Sequence, residues 1–489
     1  MAVSNQIKNQ HLLWRAGFGP WNNTQAELSS IQTKNLYAVL EKKSEPKPEY
    51  IDVADDVIKG IVGGVKDIVM MNEELKPQLS DKNKKEIRRR SIEDLRNLNI
   101  NWLNEMIHSE AQLREKMSLF WHGHFACRII NIYYQQLMLH EIRKNALGNF
   151  GDLLRAVSKS AAMLQFLNNQ QNRAQHPNEN FAREVMELFT MGRGNYTEQD
   201  VKEAARAFTG WGFRLDGSFA FRYFFHDNGK KTILGKTGNF NGDDVLKILL
   251  EQKATANFIA KKIYKYFVNE NADEEKVQWL AGRFYQNNYD IKALMNDIFT
   301  GSWFYDEKNI SAKIKSPVEL LVGIRRTLPM EMENQRIQIL LQRAMGQVLF
   351  YPPNVAGWPG GRSWIDSSSL MIRLRIPQLI KDNDNFSIQT KDDDDQQMGM
   401  QENQQMNPAA QNNSGFRIMA NVDWEKYISG FKDVLNEKLF DTIHSLLLQT
   451  QNKSVNEKVV NEMINTKTRE DYIKTATVAL MSTPEYQLC

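Results

Sequence analysis

The spacing of apolar residues predicts a protein built mainly of helices. Apolar positions recur with a period of about 3.6 residues over long stretches, whereas the strict alternation typical of strands is scarce. The predicted helices cover residues 22–42, 91–120, 151–168, 180–191, 197–208, 243–269, 274–286, 291–299, 316–328 and 336–345. The fold class predicted from this pattern is mainly α, with one small sheet.

The strand signal is confined to residues 217–235. Residues 217–226 alternate between apolar and polar side chains, residues 231–235 follow, and Asp227, Asn228 and Gly229 lie between them. Because Asp-Asn-Gly is a favourable turn sequence, we expect a single β-hairpin here.

Two segments interrupt the helical order. Residues 42–50 are charged and contain Pro46 and Pro48, which predicts a linker. Residues 382–415 contain four consecutive aspartates and a Gln/Asn/Met-rich tract, which bury too little apolar surface to offset the entropy of ordering. We therefore expect a main helical body over residues 1–381, a disordered insertion over 382–415, and C-terminal helices over 416–489 that pack back on the body.

Composition narrows the class of protein. The 489 residues are 42% hydrophobic and 25% charged with a net charge of +3, which argues against a dedicated nucleic-acid binder. The two cysteines, Cys127 and Cys489, provide neither a disulfide framework nor a thiolate metal site. Neither a secretory signal nor an apolar run of about 18 residues is present. This predicts a cytoplasmic protein without a membrane span, although export stays open.

The segment at residues 178–190 is the strongest candidate for a functional site. On a helix of about 3.6 residues per turn, one face carries Asn180, Arg183, Glu184, Glu187 and Met191, and the opposite face carries Phe181, Val185 and Leu188. The carboxylates of Glu184 and Glu187 could bind a cation or act as acid and base. Equally, the polar face could be solvated, with an Arg183–Glu187 pair contributing a few tenths of a kcal/mol.

Histidines provide two further candidates. His122 and His124 flank Gly123 at the predicted end of a helix, where both imidazoles can turn toward one metal ion. Two core histidines bonded to carbonyl groups fit the same pattern. His226 precedes Asp227, so a base or ligand has a carboxylate beside it, although these residues also belong to the predicted turn.

Residues 350–366 form a stiff loop rich in proline, glycine and aromatic residues. Tyr351, Trp358 and Trp364 supply flat apolar faces, and polar residues that include Arg362 lie between them. Such a loop suits a platform for a sugar ring or a peptide. An Ω-loop that fills a groove between helices is the alternative.

Taken together, these motifs resemble the bacterial domain-of-unknown-function 1800 family. The resemblance rests on Leu13-Trp14-Arg15-Ala16-Gly17-Phe18-Gly19, Phe120-Trp121-His122-x-His124-Phe125, the segment at 178–188, Thr209-Gly210-Trp211, His226-Asp227, Lys315-Ser316-Pro317-Val318-Glu319-Leu320, Pro352-Pro353-Asn354-Val355-x-Gly357-Trp358-Pro359 and Ser482-Thr483-Pro484-Glu485-Tyr486-Gln487. It implies one large helical domain that spans the chain, with the disordered tract as an insertion. It also implies export of many members and frequent genomic pairing with a sulfatase- or phosphatase-like family, whose protein is a possible partner. The polar positions matched are Arg15, His122, His124, Asn180, Arg183, Glu184, Glu187, His226 and Asp227, together with Trp358.

The leading functional hypothesis is a metal-assisted hydrolase acting on a sugar-containing or polymeric substrate. His122, His124 and His226 would hold zinc, iron or manganese. The catalytic carboxylates would be Glu184, Glu187 and Asp227, and the substrate would be bound by Arg183, Asn180, Trp211, Trp358, Arg362 and Trp364.

Two alternatives remain open at this level. In the first, the protein is a metal-free glycosidase in which Glu184 and Asp227 act as acid and base. In the second, it is a non-enzymatic helical scaffold or assembly partner whose polar residues form a buried network that fixes the helix register.

Overall fold

Helices dominate the computed structural model, which describes residues 3–21, 25–62, 80–386, 416–449 and 457–489. Its α-helices include Asn5–Ala16, Gln25–Ser30, Thr33–Lys43, Asp81–His108, Gln112–His124, Ile132–Asn145, Phe150–Ser158, Ala161–Phe166, Glu179–Glu184, Glu198–Ala207, Gly242–Leu250, Lys253–Phe267, Glu274–Gln286, Ile291–Phe299, Pro317–Thr327, Ile337–Ala344, Ser367–Asp382, Trp424–Ser429, Leu439–Leu447, Glu457–Glu462 and Arg469–Met481. The predicted mainly α fold is confirmed. Across the described ranges, we find no helix with the length and apolarity needed to cross a bilayer.

The chain divides into two compact units, each built from separate stretches of sequence. The central unit contains residues 37–304 and 349–359, and the terminal unit contains the described residues within 1–36, 305–348 and 360–489. Residues 178–190 and the histidine motifs belong to the central unit. The expected organisation into a main body, an insertion and returning C-terminal helices stays a prediction.

Strand pairing in the described residues is limited to four two-stranded antiparallel sheets. The paired strands are Trp211–Phe213 with Phe219–Phe221, Lys231–Ile233 with Lys236–Gly238, Met330–Met332 with Ala420–Val422, and Asn385–Phe386 with Phe416–Arg417. Two hairpins therefore replace the single one expected at residues 217–235. Leu234 and Gly235, at φ 49° and 78°, form the turn of the second hairpin, because a two-residue loop favours positive φ.

The flanks of the predicted insertion are held together. Asp382 ends the helix Ser367–Asp382, and the next residues lead into the strand Asn385–Phe386, which pairs with Phe416–Arg417. Residues 387–415, on which most of the expected disordered insertion falls, lie outside the described residues.

The segment at 42–50 is bound to the helices of the central unit and is not a free linker. The carbonyl oxygen of Pro46 accepts a hydrogen bond from Arg114 Nη1 at 2.5 Å, and that of Glu49 accepts one from Arg143 Nη1 at 2.7 Å. Buried guanidinium groups need acceptors for their N–H groups. The proline-rich backbone supplies two of them, so the linker prediction is corrected here.

A fully buried carboxylate organises the helices around this segment. Glu115 accepts hydrogen bonds from Arg143 Nη2 at 2.9 Å, from Arg114 Nε at 3.1 Å and from the indole N–H of Trp102 at 3.1 Å. These donors come from three different helices. Because each partner compensates the desolvation of the others, the network sets how the three helices pack.

We expect Glu115→Gln to destabilise the protein by about 3–5 kcal/mol, because it leaves two buried guanidinium groups without their shared carboxylate. The midpoint of urea-induced unfolding measures the effect. Glu110→Gln is the control, since the Glu110 side chain is 75% exposed and paired with Lys43. Equal effects of the two substitutions would show that the network does not hold the fold.

Candidate functional site

The segment at residues 178–190 changes its helical geometry at its centre. The Asn178 side chain caps the α-helix Glu179–Glu184, which continues as the π-helix Val185–Met191. Thr190 Oγ1 donates to the Val185 carbonyl oxygen at 2.7 Å. A π-helix contains more residues per turn than an α-helix, so the polar face predicted with α-helical spacing is interrupted. Met191, expected on that face, is buried.

The Glu184 carboxyl group is the free acid of this helix. It is partly buried and has no hydrogen-bond partner among the described residues. Burial, with a smaller contribution from the neighbouring charge of Glu187, raises its pKa above the ordinary value. Glu187 differs, because it accepts a short hydrogen bond from the Tyr196 hydroxyl. Glu184 is therefore the carboxyl group here that is most available to an external ligand.

The two other polar residues predicted on this face have partners within the protein. Arg183 donates to both carboxylate oxygens of Glu198, at 2.8 and 2.7 Å, and to Glu179 at 3.1 Å. The Asn180 side chain donates to the Leu167 carbonyl oxygen at 3.2 Å. A substrate bound by Arg183 or Asn180, as predicted, would have to compete with these hydrogen bonds.

His122 and His124 are buried histidines whose acceptor nitrogens are occupied. His122 Nε2 accepts the backbone N–H of Phe350 at 3.2 Å. His124 Nε2 donates to the Phe189 carbonyl oxygen at 3.2 Å, and its Nδ1 accepts from Lys262 Nζ at 3.1 Å. Burial lowers the pKa of His122 to about 3 and holds that of His124 well below its usual value. These contacts match the alternative of core histidines.

His226 and Asp227 lie beside the first hairpin and are also engaged. His226 Nδ1 lies 2.9 Å from the Thr209 carbonyl oxygen, to which it donates, while Nε2 has no hydrogen-bond partner among the described residues. Arg206 binds Asp227 through Nε at 2.7 Å and Nη2 at 3.2 Å. Burial raises the pKa of Asp227. The hydrogen bonds from Arg206 and from the Gly229 N–H outweigh this effect and keep that pKa below its ordinary value.

The predicted metal centre is not assembled by these side chains. Within the described part of the chain, no group of three or more His, Cys, Asp or Glu residues is placed to hold a metal ion. For His122 and His124 the physical reason is direct, because a metal would have to displace a backbone N–H or an ammonium group from the lone pair that it needs. The metal-ligand assignment of these two histidines is therefore corrected.

The proline- and glycine-rich loop at residues 349–359 packs against the His122-Gly123-His124 turn. Gly357 has a φ of 83°, and a Cβ atom at this position would lie 2.3 Å from the Gly123 carbonyl oxygen. The rings of Phe350 and Trp358 lie 4.9 and 5.6 Å from the His122 ring. Within the central unit, residues 349–359 therefore behave as the groove-filling loop that the sequence left as an alternative.

The predicted aromatic platform is divided. Trp211 is 1% exposed and packs against Phe181 and Phe208 in the core of the central unit, so it cannot line an open cleft. Trp358 is partly buried. Trp364 is buried and Arg362 is exposed, and both belong to the terminal unit.

Two residues of this region were missed in the sequence. Lys262 lies in the helix Lys253–Phe267, and burial lowers its pKa to about 8. Tyr196 follows the π-helix and binds Glu187. In the sequence, the adjacent lysines Lys261 and Lys262 suggest a solvent-exposed helix face. Tyr196 belongs to none of the motifs. Only the folded chain brings them to the histidine and carboxylate positions.

The sequence motifs described above lie within a region that matches a known protein family. The model of the DUF1800 family, described as a protein of unknown function, matches residues 11–488. The chain belongs to this family, which confirms the resemblance found in the sequence. No curated protein and no solved structure matches the chain.

We expect Gly357→Ala to destabilise the central unit, because the new methyl group would meet the Gly123 carbonyl oxygen and φ is positive. The left-handed conformation alone costs about 1–2 kcal/mol. Gly360→Ala is the matched control, since its φ is 73° and nothing lies within 4 Å of a Cβ there. Thermal melting should place Gly357→Ala clearly below the control; identical melting would contradict the close seating of the loop.

We expect His122→Gln to reduce the pH dependence of stability in acid. The folded pKa of about 3 lies below the ordinary histidine value of 6.5, so unfolding takes up a proton between these limits. Stability is then present above 6.5 and is lost as the pH falls. Replacing His122 should lower proton uptake on unfolding by about one, measured by denaturation at several pH values. A wild-type slope in His122→Gln would contradict the assignment.

Proposed function

We propose that this protein is a metal-independent hydrolase in which Glu184 acts as the general acid. The observation that supports this is a partly buried carboxyl group without a hydrogen-bond partner among the described residues, with its pKa raised beside a second carboxylate. A general acid must keep its proton near the working pH, and burial together with a like charge is the usual way to achieve this.

Glu187 is the proposed second carboxylate. Tyr196 orients it through a hydrogen bond, and it lies three residues from Glu184. In this proposal Glu184 protonates the leaving-group oxygen as the bond between that oxygen and the carbon breaks. Glu187 removes a proton from the attacking water, whose hydroxyl group forms the new bond to the same carbon. Asp227, the earlier candidate for the partner carboxylate, is held by Arg206, so Glu187 takes this role.

A glycosidic bond is the proposed target of this chemistry. Pairs of carboxyl groups, one protonated and one ionised, are the common machinery for cleaving glycosides. Trp358 is the partly exposed member of the tryptophans predicted to contact a sugar. The proposal thus retains the sugar-containing substrate class but removes the metal ion from the mechanism.

We expect Glu184→Gln to abolish hydrolysis and, at a pH above the folded pKa of Glu184, to raise the melting temperature, because there it removes a desolvated charge beside Glu187. The raised pKa means that the group favours folding only while protonated. Its contribution is fully present below the ordinary glutamate pKa of 4.5 and is lost as the pH rises through the folded pKa. The melting difference should therefore vanish near pH 4.

A panel of aryl glycosides, assayed with and without a chelator, measures the activity. Glu198→Gln is the control, since this exposed carboxylate binds Arg183 at the same helix. Hydrolysis that persists in Glu184→Gln, or that is lost on chelation in the wild type, would refute the proposal.

A scaffold role is the second candidate, and a buried network in the terminal unit favours it. Lys315 Nζ lies 3.6 Å from the Trp14 ring centre and 3.9 Å from that of Tyr486, and Lys313 pairs with buried Glu319 at 2.5 Å. Trp14, Lys315 and Tyr486 each come from a different motif that carries the family resemblance, and they meet in the core of the terminal unit. A buried polar network of this kind can fix how segments pack without taking part in a reaction.

The partner implied by the family resemblance is the sulfatase- or phosphatase-like protein of a neighbouring gene. Co-expression followed by size-exclusion chromatography distinguishes the two roles. A stable complex formed equally by the wild type and Glu184→Gln, with no glycoside hydrolysed by either, would favour the scaffold.

A further inference from the structure

A cavity in the central unit lies between the segment at 44–48 and the helices around Glu115. Its volume is about 260 Å³, and its lining includes Arg114, Arg143, Lys47, Lys144 and Lys292, together with the acidic residues Glu41 and Glu45. It is smaller than the usual 300–1,000 Å³ of pockets for drug-sized ligands. A compact ligand rather than a long one therefore fits it.

Two fixed guanidinium groups contribute to the wall of the cavity. The Arg114 and Arg143 side chains are 8% and 1% exposed, and Glu115 holds both. Arg114 Nε and Nη1 bind Glu115 and the Pro46 carbonyl oxygen, whereas its Nη2 has no hydrogen-bond partner among the described residues. A preorganised guanidinium with a free N–H edge suits a planar or tetrahedral oxyanion.

The lysines around the cavity differ in their partners. Lys47 has no ion-pair partner among the described residues, and Lys144 lies 3.6 Å from Glu141, beyond a normal hydrogen bond. Lys292 is bound by Glu45 at 2.9 Å and lies 3.7 Å from Glu41. Since Glu115 and Glu105 balance the two arginines, Lys47 and Lys144 supply the charge that an incoming anion would meet.

We propose that this cavity binds a phosphate or sulfate group carried by a small molecule. Arg114 Nη2 would donate to the oxyanion, and the ammonium groups of Lys47 and Lys144 would neutralise its charge. Charge-assisted hydrogen bonds of this kind are roughly twice as strong as neutral ones. This site is independent of Glu184, so its failure would leave the proposed hydrolase untouched.

Isothermal titration calorimetry at low ionic strength, with inorganic phosphate and inorganic sulfate as probes, tests the proposal. We expect saturable binding at one site, weakened at least tenfold by the double substitution Lys47→Ala and Lys144→Ala. Lys43→Ala is the matched control, because Lys43 is 49% exposed, Lys144 is 48% exposed, and Lys43 pairs with Glu110 outside the lining. Melting curves confirm that each variant is folded.

Glu45→Gln provides an opposite test. It removes a carboxylate from the lining and frees Lys292, so binding should tighten severalfold. Glucose 6-phosphate should bind more tightly than inorganic phosphate, because the proposed ligand is a small organic ester. Its binding should weaken below pH 6, where a phosphate monoester loses its second charge, while sulfate binding should not. Absence of saturable binding, or equal affinities for the double variant and Lys43→Ala, would overturn the proposal.

Discussion

The buried carboxylate of Glu115 is the interaction on which the rest of the central unit depends. It lies in the helix Gln112–His124 and holds Arg114 and Arg143, whose Nη1 groups bind the backbone carbonyl oxygens of residues 46 and 49. The same helix ends in His122 and His124. One desolvated charge therefore sets the position of a chain segment that looks like a linker, of a cavity wall and of the histidine turn.

From that turn, contacts extend to both other motifs of the unit. His124 reaches the π-helix through the Phe189 carbonyl oxygen, and His122 receives the N–H of Phe350 from the loop. Glycine at 357 lets the loop approach the Gly123 carbonyl oxygen. Histidine is suited to this task when buried, because each ring nitrogen can satisfy one backbone group. His122 and His124, which suggest a metal site in the sequence, thus connect the end of their own helix to the π-helix and to the loop at residues 349–359.

Periodicity was sufficient to predict the helical fold but not its interruptions. The expected helix at 91–120 is two helices separated by residues 109–111, and the one at 243–269 is broken at Glu251 and Gln252. Neither break contains glycine or proline, so the sequence carries no stop signal there. The π-helix escaped prediction for a related reason, since an α-helical projection assumes constant spacing. Trp211 was misplaced because an aromatic residue after a glycine suits a core as well as a cleft.

The candidate site is informative because Glu184 differs from the polar residues predicted to act with it. Arg183, Asn180, His124 and Asp227 each have a side-chain hydrogen-bond partner within the protein. Glu184 has no such partner among the described residues, and burial, with a smaller contribution from the charge of Glu187, raises its pKa. A ligand that approaches Glu184 would therefore not have to displace a hydrogen bond within the protein.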